Sequence, residues 1–243
     1  TQHAKKASKK PVINVGRFTD PEVMIKAINS GQCDIIGAAR PSIADPFLPK
    51  KIEEGRYNDI RECIGCNICV SRWEKGGPPI WCTQNPTSGE EYRRGWHPEK
   101  YIPTKNPDLP IVVVGAGPAG LECAMTLGLR GYNTVHLIEA EAEIGGHLRW
   151  VSKLPNFGAW KRVIDWRETQ IKTKTNVQII LNNRLNYQDV LECGAERIVF
   201  ATGSNWDETG MSSLLHDYIA GADASKPEIC NPEQYCVHGK KLG

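Results

Sequence analysis

The sequence has almost no net charge, because its 30 lysines and arginines are balanced by 28 aspartates and glutamates, which leaves +2. This balance gives no electrostatic reason to expect a nucleic acid or a membrane surface as partner. No apolar run approaches the length of about 20 residues that crosses a bilayer, and the N-terminus lacks the apolar core of a secretion signal. No Ser/His/Asp set and no pair of acids stands out. We therefore expect no nucleic acid, no membrane and no catalytic residue that can be named.

A disulfide framework is also not expected. The nine cysteines occur in a chain without secretory features, which suits a reducing compartment and predicts a cytoplasmic location. A length of 243 residues, 40% of them hydrophobic and seven of them tryptophan, indicates a packed globular protein of one large or two ordinary domains.

Four of the cysteines form one motif, C-x2-C-x2-C-x12-C, made by Cys63, Cys66, Cys69 and Cys82. Three thiolates at this spacing on a turning backbone can face one point while the fourth arrives from a loop, as around a cubane iron–sulfur cluster. Gly65 allows the backbone to bend between them. A structural zinc site usually brings two separated C-x2-C pairs, and free cysteines can also pack as small hydrophobic residues. The motif favours a cluster with these four ligands.

The first 56 residues alternate between short apolar runs and helical patterns. One helix is predicted to follow Asp20 as its N-cap, and another to begin at Asp45. Strand, helix, strand, helix is the order of an α/β fold with parallel strands. The predicted strands are residues 12–15 and 34–36.

Small residues and arginines follow both predicted strands, as Gly16 with Arg17 and Ala39 with Arg40. The carboxyl ends of strands are where a β/α barrel places its phosphate site. Small residues let backbone N–H groups approach a phosphate, and arginine adds charge and a bidentate fork. Taken alone the pattern is weak, since an arginine after a strand is more often solvated or salt-bridged.

A second phosphate pattern begins at residue 111. Four apolar residues run into Gly115, Gly117 and Gly120 and then an apolar helix, and the next predicted strand ends at Glu139. This context is the Rossmann fingerprint, in which the glycines admit a diphosphate to the helix N-terminus and the acid binds ribose hydroxyls. The sequence therefore predicts a bound dinucleotide-type ligand with an unphosphorylated adenosine.

Later residues extend the same predicted domain. Gly146 and His147 follow the acidic strand end at a distance seen in flavoprotein-type folds. His147 is either a nucleotide contact or a solvated surface histidine. Another strand ends in Thr202, which is expected beside the nucleotide.

Together these residues resemble the iron–sulfur flavoprotein amine dehydrogenases, the family of trimethylamine, dimethylamine and histamine dehydrogenases. The resemblance is most specific over residues 63–100, which include SRWE at 71–74 and EEYRRGWHP at 90–98. That family joins an FMN-binding β/α (TIM) barrel to two dinucleotide-fold domains of glutathione-reductase type. The resemblance implies an internal fragment: residues 1–56 are the last strands and helices of the barrel, 57–107 the cluster segment and linker, and 108–243 a Rossmann-like ADP-binding domain that is incomplete at its C-terminal end.

The resemblance also implies roles for the site residues. Gly16, Arg17, Ala39 and Arg40 match the FMN-phosphate strands, and the four cysteines match the [4Fe-4S] ligands. The nucleotide domain would hold ADP as a non-redox ligand.

The cysteine that links FMN covalently and the substrate pocket would lie upstream of Thr1, so the fragment alone is expected to be inactive. A small alkylated amine, dimethylamine or trimethylamine, would be oxidised at FMN, with electrons passing through the cluster to an electron-transferring flavoprotein, and a homodimer is expected.

Two other functions remain open. Flavin reductases of the 2,4-dienoyl-CoA reductase type share the plan but hold FAD in the first nucleotide domain and take electrons from NAD(P)H. Their cluster run resembles C-x2-C-x3-C, whereas only two residues separate Cys66 from Cys69. A non-enzymatic electron-transfer module is the third possibility, and the phosphate-binding strand ends argue against it.

Overall fold

A two-stranded parallel sheet forms the N-terminal part of the computed structural model, which describes residues 2–74, 79–212, 214–222, 226 and 228–240. After α1 (Gln2–Ala7), β1 (Ile13–Val15) pairs in parallel with β2 (Ile35–Gly37). The crossover that parallel strands require is α2 (Pro21–Asn29), whose first turn is capped by the Asp20 side chain. Both predicted strands and this helix are confirmed.

Parallel strands are usually buried on both faces, but these two are not. Ile13 is 57% exposed and Val15 is 69% exposed. In the described part of the chain this sheet has only β1 and β2, and these two side chains of β1 stay largely exposed.

The helix predicted to begin at Asp45 is also placed differently. The chain forms α3 (Ala39–Ala44) and then α4 (Leu48–Glu53), and Asp45 lies between them. Its Oδ2 atom accepts hydrogen bonds from the Arg61 backbone N–H at 2.8 Å and from the Lys51 Nζ at 2.7 Å. Its Oδ1 atom accepts from the Phe47 N–H at 3.0 Å, so the carboxylate lies in the turn before α4 and also joins that helix to residue 61.

The segment from residue 57 to 107 has little regular structure. It contains a 3₁₀ turn (Tyr57–Asp59), α5 (Ile68–Glu74) and α6 (Glu91–Arg94). Its buried side chains include polar ones: Gln84 is 0% exposed and Asn85 is 1% exposed. Hydrogen bonds to partners far along the chain, rather than a secondary-structure ladder, hold this segment in place.

A four-stranded parallel sheet organises the second half of the chain, and its strands lie side by side in the order β5 (Gln178–Ile180), β4 (Val135–Ile138), β3 (Ile111–Val114) and β6 (Arg197–Phe200). Strands and helices alternate as a Rossmann-like fold requires. Its core contains Val113, Leu121 and Leu137, each 0% exposed. In chain order the elements are β3 (Ile111–Val114), α7 (Pro118–Leu129), β4 (Val135–Ile138), α8 (Leu148–Val151), α9 (Arg162–Lys174), β5 (Gln178–Ile180), α10 (Tyr187–Glu192) and β6 (Arg197–Phe200).

Three short elements follow. An antiparallel pair consists of β7 (Met211–Ser212) and β8 (Asp217–Tyr218), and α11 (Pro232–Cys236) is capped by the Asn231 side chain. The sequence predicted none of these. None of the helices among the described residues has both the length and the apolar character needed to cross a membrane.

Candidate cluster and nucleotide sites

The four motif cysteines lie on a sharply turning backbone followed by a helix. Cys63 is buried and the other three are half-buried, and all are free thiols. Between them Gly65 has φ +74° and Asn67 has φ +59°, both in the left-handed region. Glycine adopts this region without cost and asparagine tolerates it, so both residue types suit the bend.

Backbone N–H groups point at two of the sulfur atoms. The Gly65 N–H donates to Cys63. Cys82 receives the N–H groups of Gln84, at 3.4 Å, and of Asn85. Such N–H···S contacts stabilise a thiolate and tune a bound cluster. Burial raises the pKa of the Cys63 and Cys82 thiols, and these hydrogen bonds act against that increase.

The chemistry of the donor set fits an iron–sulfur cluster, and it also fits zinc. In the part of the chain that the structure describes, no group of three or more His, Cys, Asp or Glu side chains is arranged to hold a metal ion. The assignment of Cys63, Cys66, Cys69 and Cys82 as ligands therefore depends on their spacing and on the N–H···S contacts, and it stays a prediction.

The two arginines predicted at the FMN phosphate both contact the cysteine run. Arg17 Nη1 donates to the Cys63 carbonyl at 2.9 Å, and Arg40 Nη1 donates to Asn67 Oδ1 at 2.5 Å. Gly16 precedes Arg17 directly after β1, where its N–H donates to the Gly37 carbonyl, and Ala39 precedes Arg40 as the first residue of α3, two residues after β2. The structure thus brings the strand ends and the cysteine run together, a contact that the sequence did not predict. Each guanidinium has five N–H donors, so these bonds leave donors for a phosphate.

The glycine-rich turn after β3 has the geometry of a diphosphate cradle. Gly115 has φ +99°, and a Cβ there would lie 2.4 Å from the Ala201 carbonyl oxygen. A Cβ on Gly120 would lie 1.8 Å from the Gly115 oxygen, so close packing of helix and strand requires glycine at both positions. At Gly117 no atom lies within 4 Å of the Cβ position, and the space is open for a ligand. These residues fit the nucleotide that the fingerprint predicts.

Glu139 is buried at the end of β4, as predicted, but its carboxylate already has protein partners. One oxygen accepts the Ala116 N–H at 2.7 Å and the other accepts the Glu141 N–H at 3.0 Å. The side chain therefore holds the glycine-rich turn in place. A carboxylate has about four acceptor positions, which leaves about two for ribose hydroxyls.

The later predicted residues surround the same turn. The Gly145 N–H donates to the Ala116 carbonyl at 2.7 Å, and a Cβ on Gly146 would lie 3.2 Å from the Gly117 Cα. His147 is exposed, with its ring centroid 5.9 Å from that of Trp150. The Thr202 Cα would lie 3.2 Å from a Cβ on Gly115. Gly146 and Thr202 thus border the turn, whereas the contact of His147 with a nucleotide stays a prediction.

Sequence reasoning missed the arginine that joins the two sites. Arg167 on α9 is 3% exposed. Its guanidinium donates to the Gln84 Oε1 atom at 2.8 Å, to the Gln84 carbonyl at 3.2 Å and to Glu122 on α7 at 2.6 Å. Gln84 is two residues after Cys82, so Arg167 connects the cysteine loop to the helix that begins at the nucleotide turn. A pairing across 83 residues leaves no local signal in the sequence.

Two different families match two separate parts of the chain. Residues 1–59 match the NADH:flavin oxidoreductase / NADH oxidase family. Residues 109–229 match the pyridine nucleotide-disulphide oxidoreductase family. The flavin-binding barrel family and the Rossmann-like family thus agree with the two parallel sheets and with an α/β class, and they support FMN or FAD as a cofactor.

Individual proteins are similar over most of the chain. Dimethylamine dehydrogenase of Hyphomicrobium sp. (strain x) is 53% identical over 247 residues, which cover 100% of this chain and 33% of that protein. The structure of 6-hydroxypseudooxynicotine amine oxidase from Pseudomonas geniculata N1 superposes with a TM-score of 0.90 at 46% identity, covering 98% of this chain and 35% of that one. Histamine dehydrogenase from Rhizobium sp. 4-9 gives a TM-score of 0.82 at 50% identity, covering 86% of this chain and 30% of that one. The chain spans about a third of the length of these relatives.

Proposed function

Because the chain belongs to the amine dehydrogenase family, which includes dimethylamine and histamine dehydrogenases, we propose that it is part of an iron–sulfur flavoprotein that oxidises a small alkylated amine. Dimethylamine and trimethylamine are the proposed substrates, and the proposed electron acceptor is an electron-transferring flavoprotein. The main support is the identity with dimethylamine dehydrogenase, which extends across the whole chain. When bound, the cofactors supply the redox chemistry: two electrons leave the amine at FMN and pass singly through the [4Fe-4S] cluster.

In this proposal the strand ends and the cysteine run hold the two redox groups side by side. Arg17 and Arg40 bind the FMN phosphate with the N–H donors that their contacts to Cys63 and Asn67 leave over. Cys63 belongs to the set of four cysteines that holds the cluster. The direct contacts between the two sets of residues support a short route for electrons within one chain.

The nucleotide domain serves a binding role. Open space at Gly117 admits the diphosphate of ADP to the N-terminus of α7, where unpaired N–H groups and the helix dipole favour an anion. Glu139 keeps the turn in shape through Ala116 and accepts ribose hydroxyls with its remaining lone pairs. ADP, rather than FAD, follows from the family resemblance.

The substrate proposal is tested by mixing the anaerobic full-length enzyme with single reductants in a stopped-flow spectrometer. Dimethylamine and trimethylamine should bleach the flavin rapidly, histamine more slowly, and NADPH not at all. The resemblance to reductases of the 2,4-dienoyl-CoA reductase type, together with the NADH-linked description of the first matching family, makes NADPH the informative control. Bleaching by NADPH alone, without a response to any amine, would overturn the proposal.

The nucleotide assignment has its own test. Denaturing the full-length protein and chromatographing the released nucleotides should give one ADP per chain, with flavin recovered only in protein-linked form. One free FAD per chain would favour the reductase function instead.

A further inference from the structure

Two positive side chains from the strand ends contact the cysteine run. The guanidinium of Arg17 donates a hydrogen bond to the Cys63 carbonyl. It also lies next to Gly65, because a Cβ added to that glycine would be 3.4 Å from the Arg17 Nε. Arg40 contacts the next turn of the run through Asn67. Both guanidinium groups therefore lie against the segment that carries Cys63, Cys66 and Cys69. The carboxylate beside it, Glu62, already pairs with Arg162.

We propose that Arg17 and Arg40 set the reduction potential of the cluster, as fixed positive charges that stabilise its reduced form. This inference rests on the proposed function, which assigns the four cysteines to a cluster. Reduction adds one negative charge to the cluster and its thiolates, and a permanent positive charge nearby stabilises that state most. Arginine keeps its charge at every working pH, so the effect does not depend on titration.

The placement of these arginines also gives them a second role in electron transfer. Each sits at the end of a strand predicted to bind the FMN phosphate, so the same side chain borders both redox groups. A higher cluster potential favours electron flow from the flavin to the cluster. The two arginines are therefore positioning residues for transfer and not catalytic residues.

The test is an EPR-monitored redox titration of the full-length enzyme, with dithionite as reductant and no amine present. Arg17→Gln keeps an N–H donor for the Cys63 carbonyl but removes the charge, and Arg40→Gln does the same at Asn67. In each variant the ratio of reduced to oxidised cluster at the wild-type midpoint should fall about tenfold. Arg17→Lys keeps the charge and should titrate close to the wild type. The matched control is Arg184→Gln, because Arg184 is a 79% exposed arginine paired with Glu141 on the nucleotide domain.

Several outcomes would overturn the proposal. Unchanged midpoints in both glutamine variants with full iron content would do so, and so would an equal fall in Arg17→Lys, which would assign the effect to geometry instead of charge. If the Arg17→Gln variant does not assemble a cluster, the Arg40→Gln variant tests the proposal, because Arg40 contacts the side chain of Asn67 and not the backbone of a cysteine. Loss of iron in both variants would mean that the arginines serve assembly and not potential. Because dithionite replaces the amine, the result is independent of the substrate, and only a wild-type protein without iron would count against the proposed function.

Discussion

The nucleotide domain and the cluster segment bury their side chains by opposite chemistry. Around β3 and α7 the most buried side chains are apolar, such as Val113 and Leu121, both 0% exposed. Around the cysteine run they include Gln84 at 0% and Asn85 at 1%, which are polar and hydrogen-bonded. Apolar burial has no preferred direction, whereas each buried polar atom requires its own partner. The free energy of unfolding should therefore fall gradually as buried volume is removed from the nucleotide domain. In the cluster segment it should fall sharply when a single polar contact is lost.

The largest effect is expected at a cluster ligand. Cys66→Ser should reduce the iron content of the anaerobically purified full-length protein from about four atoms per chain to nearly none. It should also block reoxidation of the reduced enzyme by a one-electron acceptor. Iron analysis and EPR measure both. Cys193→Ser, at an exposed cysteine outside the motif, is the matched control and should keep its iron. Full iron in Cys66→Ser, or stoichiometric zinc in the wild type, would contradict the cluster.

The next effect concerns the link between the two regions. Arg167→Met removes the buried guanidinium and leaves Gln84 and Glu122 without their partner. Since breaking a buried charged contact leaves an uncompensated group, the free energy of unfolding should fall by about 3–5 kcal/mol. Urea unfolding followed by intrinsic tryptophan fluorescence measures it. Arg184→Met, at the 79% exposed arginine, should change it by less than about 0.5 kcal/mol. Equal effects in the two variants would remove the distinction between the regions.

The apolar side of the comparison is tested at Leu121. Leu121→Ala opens a cavity beside Val113 and Met125 in the core, and the free energy of unfolding should fall by about 3 kcal/mol. Leu121→Met nearly conserves the volume and should cost less than about 1.5 kcal/mol. The pair of variants, measured by the same urea transition, gives the graded response expected of this core. A methionine variant as unstable as the alanine variant would show that the nucleotide domain also depends on single contacts.

The same contrast explains what the sequence could predict. The Rossmann-like half was predicted closely, because strands, glycines and helix follow one another along the chain and each carries a local signal. The strand predicted to end at Glu139 is β4, which runs to Ile138, and the strand predicted to end in Thr202 is β6, which runs to Phe200. The role of Glu139 was predicted only in part. Its expected ribose contact stays a prediction, while its bond to Ala116 depends on how the turn folds back over the strand end.

In the cluster segment the sequence predicted the four cysteine ligands but not the residues that contact them. The helix predicted from Asp45 begins three residues later, and the contact of Asp45 with the Arg61 N–H was not predicted because the two residues are 16 positions apart and leave no periodic pattern. The contacts of Arg17 with Cys63 and of Arg40 with Asn67 span 46 and 27 residues and have the same cause. Residue types and spacing identify the cysteines, but polar partners brought together by tertiary folding cannot be deduced from composition or periodicity.

A weaker polar contact between the regions is formed by Asp59 on the 3₁₀ turn. Its Oδ1 atom accepts from Lys174 at 2.7 Å and from Gln170 at 3.2 Å, both on α9, while Oδ2 accepts from Arg56 at 3.0 Å. Burial alone would raise the pKa of Asp59, but these hydrogen bonds outweigh it and lower the pKa from 3.8 to about 2.

Asp59→Asn should therefore have the smallest effect and a characteristic pH dependence. A carboxyl group with a pKa lowered in the folded state stabilises the protein above its unfolded pKa and loses that contribution as the pH falls toward the folded value. The loss should thus begin near pH 4 and continue toward the folded-state pKa of about 2.

Because solvent screens the Lys174 and Arg56 charges, the contribution of Asp59 to the free energy of unfolding at pH 7 should be only about 1 kcal/mol. Urea transitions of wild type and Asp59→Asn should differ by that amount at pH 7 and converge as the pH falls below about 4. Asp165→Asn, at a 47% exposed carboxylate paired with Lys161 four residues earlier, should show almost no difference at either pH. A constant difference between wild type and Asp59→Asn from pH 7 to pH 3 would mean that Asp59 acts through packing and not through its charge.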